Sequence, residues 1–233
     1  MSNTSNEMAN RGSKLCMQIC VNNLTDDIFR GRIIRKSRKH LLDDKIGHGK
    51  ITWISPLATE NFEEYQLNNN LPVEKKKLLK LENVDFNFWP KGVQSPQWDA
   101  IGVAEDSFLI LVEAKGHTSE FKGPGCKANV DKPNRPIIKE TITQILGDDE
   151  VWMGKYYQTA NRIVFLKKLL QAGVKVLLVY LCFINDFSNE PEPQSTWDQY
   201  IKNMNNQHPL PPDTIEGSYI KHIYLDIWQD KGV

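Results

Sequence analysis

Hydrophobic residues along the chain occur partly in short continuous runs and partly at helical spacing, the pattern of a domain that mixes strands and helices. The strongest continuous runs cover residues 108–112 and 174–183, and they predict buried strands at the centre of a sheet. Residues 151–172 carry apolar side chains at helical spacing and predict one long helix that ends at Gly173. This order of elements predicts an α/β fold in which helices flank a central mixed β-sheet.

The remaining segments extend the same pattern. Further helices are predicted from residue 15 to about residue 30, and over residues 57–67, 74–81, 136–146 and 196–206. Further strands are predicted over residues 51–54, 84–89, 97–103 and 219–228. A polar turn joins residues 97–103 to residues 108–115, so these two strands predict a hairpin. The Gly-, Pro- and Lys-rich residues 116–135 predict a long functional loop.

Length and composition are those of a single globular domain, with 233 residues of which 40% are hydrophobic and 25% charged. We expect residues 1–14, which are polar and lack the apolar core of a secretion signal, to be a disordered tail, and residues 15–233 to form one domain. No apolar stretch approaches the roughly 20 residues of a membrane span, so we expect no membrane partner and a cytoplasmic protein. The four cysteines contain no CxxC pair and predict free thiols.

Charge gives mixed evidence about partners. The formal net charge is zero, whereas nucleic-acid-binding domains often carry a basic excess. Basic residues nevertheless concentrate within residues 30–50, 75–80 and 122–139. Each run alone is typical of a solvated face, but three runs around one candidate site favour a groove that binds phosphate.

The candidate chemistry lies at the ends of the two hairpin strands. Glu113 and Lys115 have the same parity, so both side chains project from one face of the sheet. Asp99 lies opposite Glu113 if the turn holds an odd number of residues, and opposite Val112 if the number is even. Charged groups beside an apolar strand need partners. Two explanations stay open: an ion pair at the rim of the sheet, or a hard cation held by the two acids with the lysine beside it.

Three strings around these residues, FWPKGVQSPQWDAIG, LILVEAKGHTSE and WMGKYYQTANRIVFLKKLL, resemble the PD-(D/E)xK nuclease superfamily, and in particular a group of bacterial proteins within it. The resemblance extends from about residue 51 to residue 183. One difference is that Pro96 stands three residues before Asp99 and not next to it. The resemblance implies a restriction-endonuclease-like core and Mg²⁺- or Mn²⁺-dependent cleavage of nucleic acid. We expect DNA as the partner, although the sequence does not distinguish DNA from RNA, and a homodimer is a further expectation.

The same resemblance assigns roles to individual residues. It implies that Asp99 and Glu113 are metal ligands, joined by the peptide carbonyl of Ala114. It implies that Lys115 is the catalytic lysine, which stabilises developing negative charge and orients the attacking water.

The superfamily also takes an acid from a helix before the hairpin and polar residues from the helix after it. The predicted helix over residues 57–67 offers Glu60, Glu63 and Glu64. Glu64 is the chosen site residue, because the EY pair in NFEEYQ is most similar to the position used in the superfamily. Gln158 is the corresponding choice on the later helix.

Four residues near the candidate site can be explained by a structural role alone. We expect Trp98 and Tyr156 to be core residues and Arg162 to pair with a nearby acid. His117 follows Lys115 by two residues and is either a general base or a loop residue beside the site.

Two further functions remain open at this stage. One is a nucleic-acid-binding protein with the same fold and no hydrolysis, which predicts salt-sensitive binding without strand loss. The other is a protein-interaction module in which the acid–lysine pairs are structural, which predicts that removal of Asp99 or Glu113 lowers the melting temperature.

Overall fold

A computed structural model describes residues 8–22, 51–92, 95–104, 108–128, 133–148, 150–186, 191–208 and 219–226. Five strands form one sheet in the order β1 (Ile51–Ser55), β2 (Ala100–Ala104), β3 (Leu109–Lys115), β4 (Val176–Phe183) and β5 (Ile220–Leu225). The first three strands are antiparallel neighbours, and β3, β4 and β5 run parallel. The predicted α/β class with a mixed sheet is therefore confirmed.

Helices cover both faces of this sheet. They are α1 (Gly12–Asn22), α2 (Val73–Leu78), α3 (Asn134–Leu146), α4 (Glu150–Met153), α5 (Tyr157–Gln171) and α6 (Gln194–Gln207), with single 3₁₀ turns at Ala58–Glu60 and Thr118–Phe121. Helix α1 begins inside the segment that the sequence assigns to a tail, and its predicted continuation to residue 30 lies outside the described residues. None of the helices described has the length and apolar character needed to cross a membrane.

The central strand β3 separates two hydrophobic cores. All seven of its residues are buried, as the apolar run predicts. Leu109 and Leu111 face a core that includes α3 and α5, whereas Ile110 and Val112 face a second core with α1. Because side chains alternate along a strand, Glu113 projects from the same face as Leu111, toward α5.

Residues 57–67 do not form the predicted helix. Only Ala58–Glu60 make a single 3₁₀ turn, and the chain then passes through Asn61 and Phe62 with φ of 54° and 56°. Two successive residues in the left-handed region cannot continue a right-handed helix, because their Cβ atoms would crowd the following carbonyls. Glu60 and Glu64 therefore do not share a helical face.

The aromatic residues 84–89 form turns and not the predicted strand. The N–H of Trp89 donates to the carbonyl of Phe86 at 3.2 Å, which is a turn contact. Both rings are buried against Phe165 of α5, at centroid distances of 5.7 Å and 6.4 Å respectively. The alternation of aromatic residues thus reflects packing onto α5 and not strand pairing.

The predicted single helix over residues 151–172 is two helices, α4 and α5. The chain leaves helical geometry at Tyr156, where φ is −106° and ψ is 21°. The carbonyls of Met153 and Lys155 then accept hydrogen bonds from the N–H groups of Cys126 and Gly123, each at 2.9 Å. Apolar spacing continues across the break, so the sequence pattern does not register it.

Candidate active site

The ladder between β2 and β3 sets the position of the candidate site. Ala100 pairs with Val112, so one step beyond β2 the side chain of Asp99 lies opposite Glu113. The turn between Ala104 and Phe108 contains three residues, which is the odd number that this arrangement requires. Of the two registers that the sequence leaves open, the structure has the one that brings the two acids together.

The carboxylate of Asp99 is fixed to the edge of β3. Its Oδ2 accepts a hydrogen bond from the N–H of Ala114 at 2.8 Å. The backbone of Trp98 turns away and donates to the carbonyl of Tyr65 at 3.1 Å. In an extended strand the N–H and C=O of one residue face the same neighbour, so the Ala114 carbonyl points to the side on which Asp99 lies.

Lys115 lies between a strand acid and a helix amide. Its Nζ is 2.6 Å from Oε1 of Glu113 and 2.9 Å from Oε1 of Gln158. Glu113 and Lys115 expose only 1% and 4% of their surface. The equal parity of residues 113 and 115 thus places both on one face, as predicted, and the first turn of α5 contributes Gln158 to the same cluster.

Arg162 occupies the other side of Glu113. Its Nε donates to Oε2 of Glu113 at 2.6 Å, and one terminal nitrogen donates to the carbonyl of Gln97 at 2.7 Å. The guanidinium lies 4.7 Å from the ring of Trp98, which is fully buried. The predicted pairing of Arg162 with an acid is confirmed, but the sequence did not identify Glu113 as that acid. The sequence does hold one indication of this contact. Arg162 lies one helical turn after Gln158, so both side chains project from the same face of the helix.

The remaining two neighbours, Tyr156 and His117, also have structural contacts. Tyr156 is buried in the core, as expected. The ring of His117 accepts a hydrogen bond from the N–H of Ser119 at 3.1 Å and lies 3.0 Å from a carboxylate oxygen of Glu192. These contacts hold His117 in the turn Thr118–Phe121.

The two strand acids have opposite electrostatic environments. Burial disfavours the charge of Glu113, but Arg162 and Lys115 outweigh this and hold its pKa below the ordinary value. Burial, together with repulsion from Glu113 and Glu64, raises the pKa of Asp99 to about 8 even though Lys115 opposes the shift. Asp99 therefore binds a proton at neutral pH unless another cation approaches it.

Glu64 reaches the site from coil and not from a helix. Its carboxylate lies 3.2 Å from Nζ of Lys14 on α1, and burial raises its pKa. Glu60 pairs instead with Lys75. Of these two acids, only Glu64 lines the cleft that Asp99 also lines.

This cleft has a volume of about 620 Å³ and lies beside the acids. One wall is the glycine-rich segment 123–128, and the opposite wall is the segment 95–97. Its lining also includes four residues of the first turns of α5, namely the half-buried Tyr157 and Gln158 and the buried Asn161 and Arg162. Glu113 and Lys115 are buried beneath this surface, so Asp99 is the strand acid that meets the open space.

The oxygen donors present are the kind that Mg²⁺ prefers, namely two carboxylates and the peptide carbonyl of Ala114. Across the ranges that the structure describes, no group of three or more His, Cys, Asp or Glu side chains is arranged to hold a metal ion. The raised pKa of Asp99 reflects desolvation and repulsion from Glu113 and Glu64, which a bound cation would offset. The donor set therefore fits a hard divalent ion, with Glu113 shared between that ion and its present partners.

Comparison of the chain with protein-family models, curated proteins and solved structures finds no match.

Replacement of Asp99 by asparagine is expected to stabilise the metal-free protein at alkaline pH by about 1–2 kcal/mol. The pKa of Asp99 is raised on folding from 3.8 to about 8, so stability that is present below the lower value is lost as pH rises through the higher one. The Asp99→Asn variant does not lose stability in this way, and its side-chain amide oxygen can still accept the hydrogen bond from the N–H of Ala114. Urea denaturation in a chelating buffer near the two ends of this pH window measures the difference.

The exposed Asp148 supplies the matched control, since its replacement by asparagine should change stability little at either pH. A destabilised Asp99→Asn protein at alkaline pH would instead support the interpretation of Asp99 as a structural ion-pair partner.

Proposed function

We propose that the protein is a divalent-metal-dependent nuclease that hydrolyses phosphodiester bonds in DNA or RNA. The observation that carries the proposal is the placement of Asp99 opposite Glu113, with Lys115 on the same face of β3 and an open cleft beside them. Phosphodiester hydrolysis requires these parts: oxygen donors for a cation, an ammonium near the phosphate, and space for the substrate.

The roles follow from the contacts. The carboxylates of Asp99 and Glu113 and the carbonyl of Ala114 would hold Mg²⁺ or Mn²⁺, which when bound supplies a Lewis acid at the phosphate. Lys115 would stabilise negative charge that develops on the phosphate oxygens and orient the attacking water. Gln158 accepts a hydrogen bond from Lys115 at 2.9 Å and so directs the ammonium.

Glu64 and the fold complete the proposal. Glu64 lines the same cleft as Asp99 and would orient a water molecule, either free or bound to the cation. The proposed restriction-endonuclease-like core consists of the hairpin β2–β3, the helix α5 and the parallel strand β4. The cytoplasmic location and the homodimer stay predictions from the sequence.

The test is strand cleavage by the purified protein with Mn²⁺, with Mg²⁺ and with EDTA. Labelled single-stranded and double-stranded DNA and RNA serve as substrates, and Asp99→Asn is assayed beside the wild type. We expect cleavage that needs the metal and disappears in the variant. Equal cleavage in EDTA, or full activity in Asp99→Asn, would contradict the proposal.

A second function has one observation in its favour. Both carboxylate oxygens of Glu113 already accept hydrogen bonds from cations, Oε1 from Lys115 and Oε2 from Arg162. This charge compensation would suit a nucleic-acid-binding protein of the same fold that does not hydrolyse its ligand. That function predicts salt-sensitive binding with no strand loss in any metal.

A further inference from the structure

We propose that the cleft takes one unpaired strand of nucleic acid and that Lys127 binds a backbone phosphate at its rim. The inference rests on the proposed nuclease function and adds a substrate class to it. It is carried by the fixed walls of the cleft, by its size and by the chemistry of its lining.

The first wall is held rigidly against the junction of α4 and α5. Hydrogen bonds of 2.9 Å join the N–H groups of Gly123 and Cys126 to the carbonyls of Lys155 and Met153. Between them Gly125 has a φ of +85°, and a Cβ added there would lie 3.0 Å from the Met153 carbonyl oxygen. Glycine is required for this close approach, so the wall cannot retreat without breaking these contacts.

The opposite wall is held just as firmly. The hydroxyl of Ser95 donates to the carbonyl of Pro90 at 2.9 Å, and the carbonyl of Ser95 accepts from the side chain of Gln66 at 3.1 Å. The carbonyl of Gln97 accepts from Arg162 at 2.7 Å. Since hydrogen bonds tie both segments to the rest of the structure, the fold sets the position of both walls.

The volume of the cleft suits one strand. One base pair of duplex occupies about 1,000 Å³, taken as a cylinder roughly 20 Å across with a rise of about 3.4 Å. The cleft offers about 620 Å³, which is close to the share of one nucleotide in that cylinder and less than a whole base pair. A nucleotide that fills the cleft beside Asp99 therefore leaves no room for its pairing partner.

The lining matches the parts of an unpaired nucleotide. The exposed Pro124 offers apolar surface to the face of a base, and the exposed Gln97 offers an amide group to its edge. An accessible base edge is a feature of single strands, because pairing occupies it in a duplex. The cleft therefore resembles a site for a splayed base more than a groove for a helix backbone.

Lys127 supplies positive charge at the entrance. It is exposed and lines the cleft that Glu64 and Asp99 also line. Arg162 also lines the cleft, but its nitrogens already donate to Glu113 and Gln97. Lys127 is thus placed to attract a phosphate of the incoming strand and hold it away from the carboxylates.

The experiment is fluorescence anisotropy with a labelled mixed-sequence DNA oligonucleotide, its RNA counterpart, and the DNA annealed to its complement, in a Ca²⁺ buffer. We expect single strands to bind about tenfold more tightly than the duplex. Lys127→Ala should weaken single-strand binding about three- to tenfold. Lys122→Ala is the matched control, because Lys122 is exposed on the same loop but lies over the ring of Tyr200, and it should change binding less than about twofold.

Each outcome has a defined meaning. Tighter binding of the DNA or of the RNA strand identifies which nucleic acid enters the cleft, and both results support the inference. Duplex binding as tight as single-strand binding overturns it but leaves the nuclease proposal standing. Equal effects of the Lys127 and Lys122 substitutions overturn the phosphate contact. Failure to bind or cleave any of the three probes, with Ca²⁺ or with Mn²⁺, overturns both proposals.

Discussion

Replacement of Lys115 by methionine is expected to lower the rate of metal-dependent strand cleavage about 10²- to 10³-fold. Methionine keeps much of the length and volume of lysine but removes the ammonium that lies 2.6 Å from Glu113. Loss of one preorganised donor beside the reacting phosphate has an effect of this size in other enzymes. The measurement is single-turnover cleavage of a labelled strand with saturating protein and Mn²⁺.

The variant should remain folded, because Arg162 still compensates the charge of Glu113. Its thermal melting curve and its affinity for the strand in Ca²⁺ separate a catalytic defect from a structural one. Lys122→Ala again serves as the control and should cleave at the wild-type rate. Wild-type cleavage by Lys115→Met would remove Lys115 from the mechanism and favour the binding function.

Replacement of Arg162 by methionine is expected to destabilise the protein by about 3–5 kcal/mol, the cost of breaking one of the two ion pairs of the buried Glu113. Arg162 is 3% exposed, Glu113 is 1% exposed, and their contact is 2.6 Å. For a chain of this size the loss corresponds to a fall in melting temperature of roughly 6–20 °C. Calorimetry or urea denaturation at neutral pH provides the measurement.

A double variant tests the stated cause. The losses of stability caused by Arg162→Met and by Glu113→Gln should be less than additive in the double variant, because both substitutions break the same contact. The surface pair of Lys139 and Asp148, with side chains 55% and 68% exposed, is the matched comparison, and Lys139→Ala should cost less than about 1 kcal/mol. Equal losses at the buried and the surface position would show that the Glu113 pair contributes no more than a solvated one.

The loss of stability in Arg162→Met should depend on pH in a defined direction. The pKa of Glu113 is lowered on folding, so its stabilising contribution is present above the ordinary carboxyl value of 4.5 and is lost as the pH falls through the lower, folded value. The difference between wild type and Arg162→Met should therefore be largest near neutral pH and shrink in acid.

Much of the sheet and part of the site follow from the sequence because they depend on short-range periodicity. The apolar runs at β3 and β4 identify buried central strands, and the period of two places Glu113 and Lys115 on one face. The pairing of Asp99 with Glu113 needs one further fact, the odd length of the turn, which the structure supplies.

The errors arise where backbone conformation depends on partners distant in sequence. Apolar spacing continues through Tyr156, yet the chain breaks there because the carbonyls of Met153 and Lys155 bind the loop that contains Gly123. The proline at position 56 looks like a helix start, yet the left-handed Asn61 stops the helix after a single turn. Local propensity carries no information about these contacts.

The charge network of the site was also only partly visible in the sequence. Pairing of Arg162 with an acid is a general expectation for a buried arginine, but the choice of Glu113 depends on how α5 packs against β3. Glu64 was chosen from a presumed helix that does not form, and it reaches the cleft because coil carries it there. Glu64 thus lies at the cleft, but no helix places it there.

The position of Glu113 and Lys115 on the innermost strand also bears on how the protein moves. Amide hydrogens of a buried central strand exchange with solvent only when the whole domain unfolds, whereas those of loops such as residues 123–128 exchange through local opening. In the proposed function, reaction and admission of a ligand would therefore reside in parts of the molecule with different dynamics. In this function a strand would enter and leave through the open side of the cleft, while the carboxylate and the ammonium keep their relative positions.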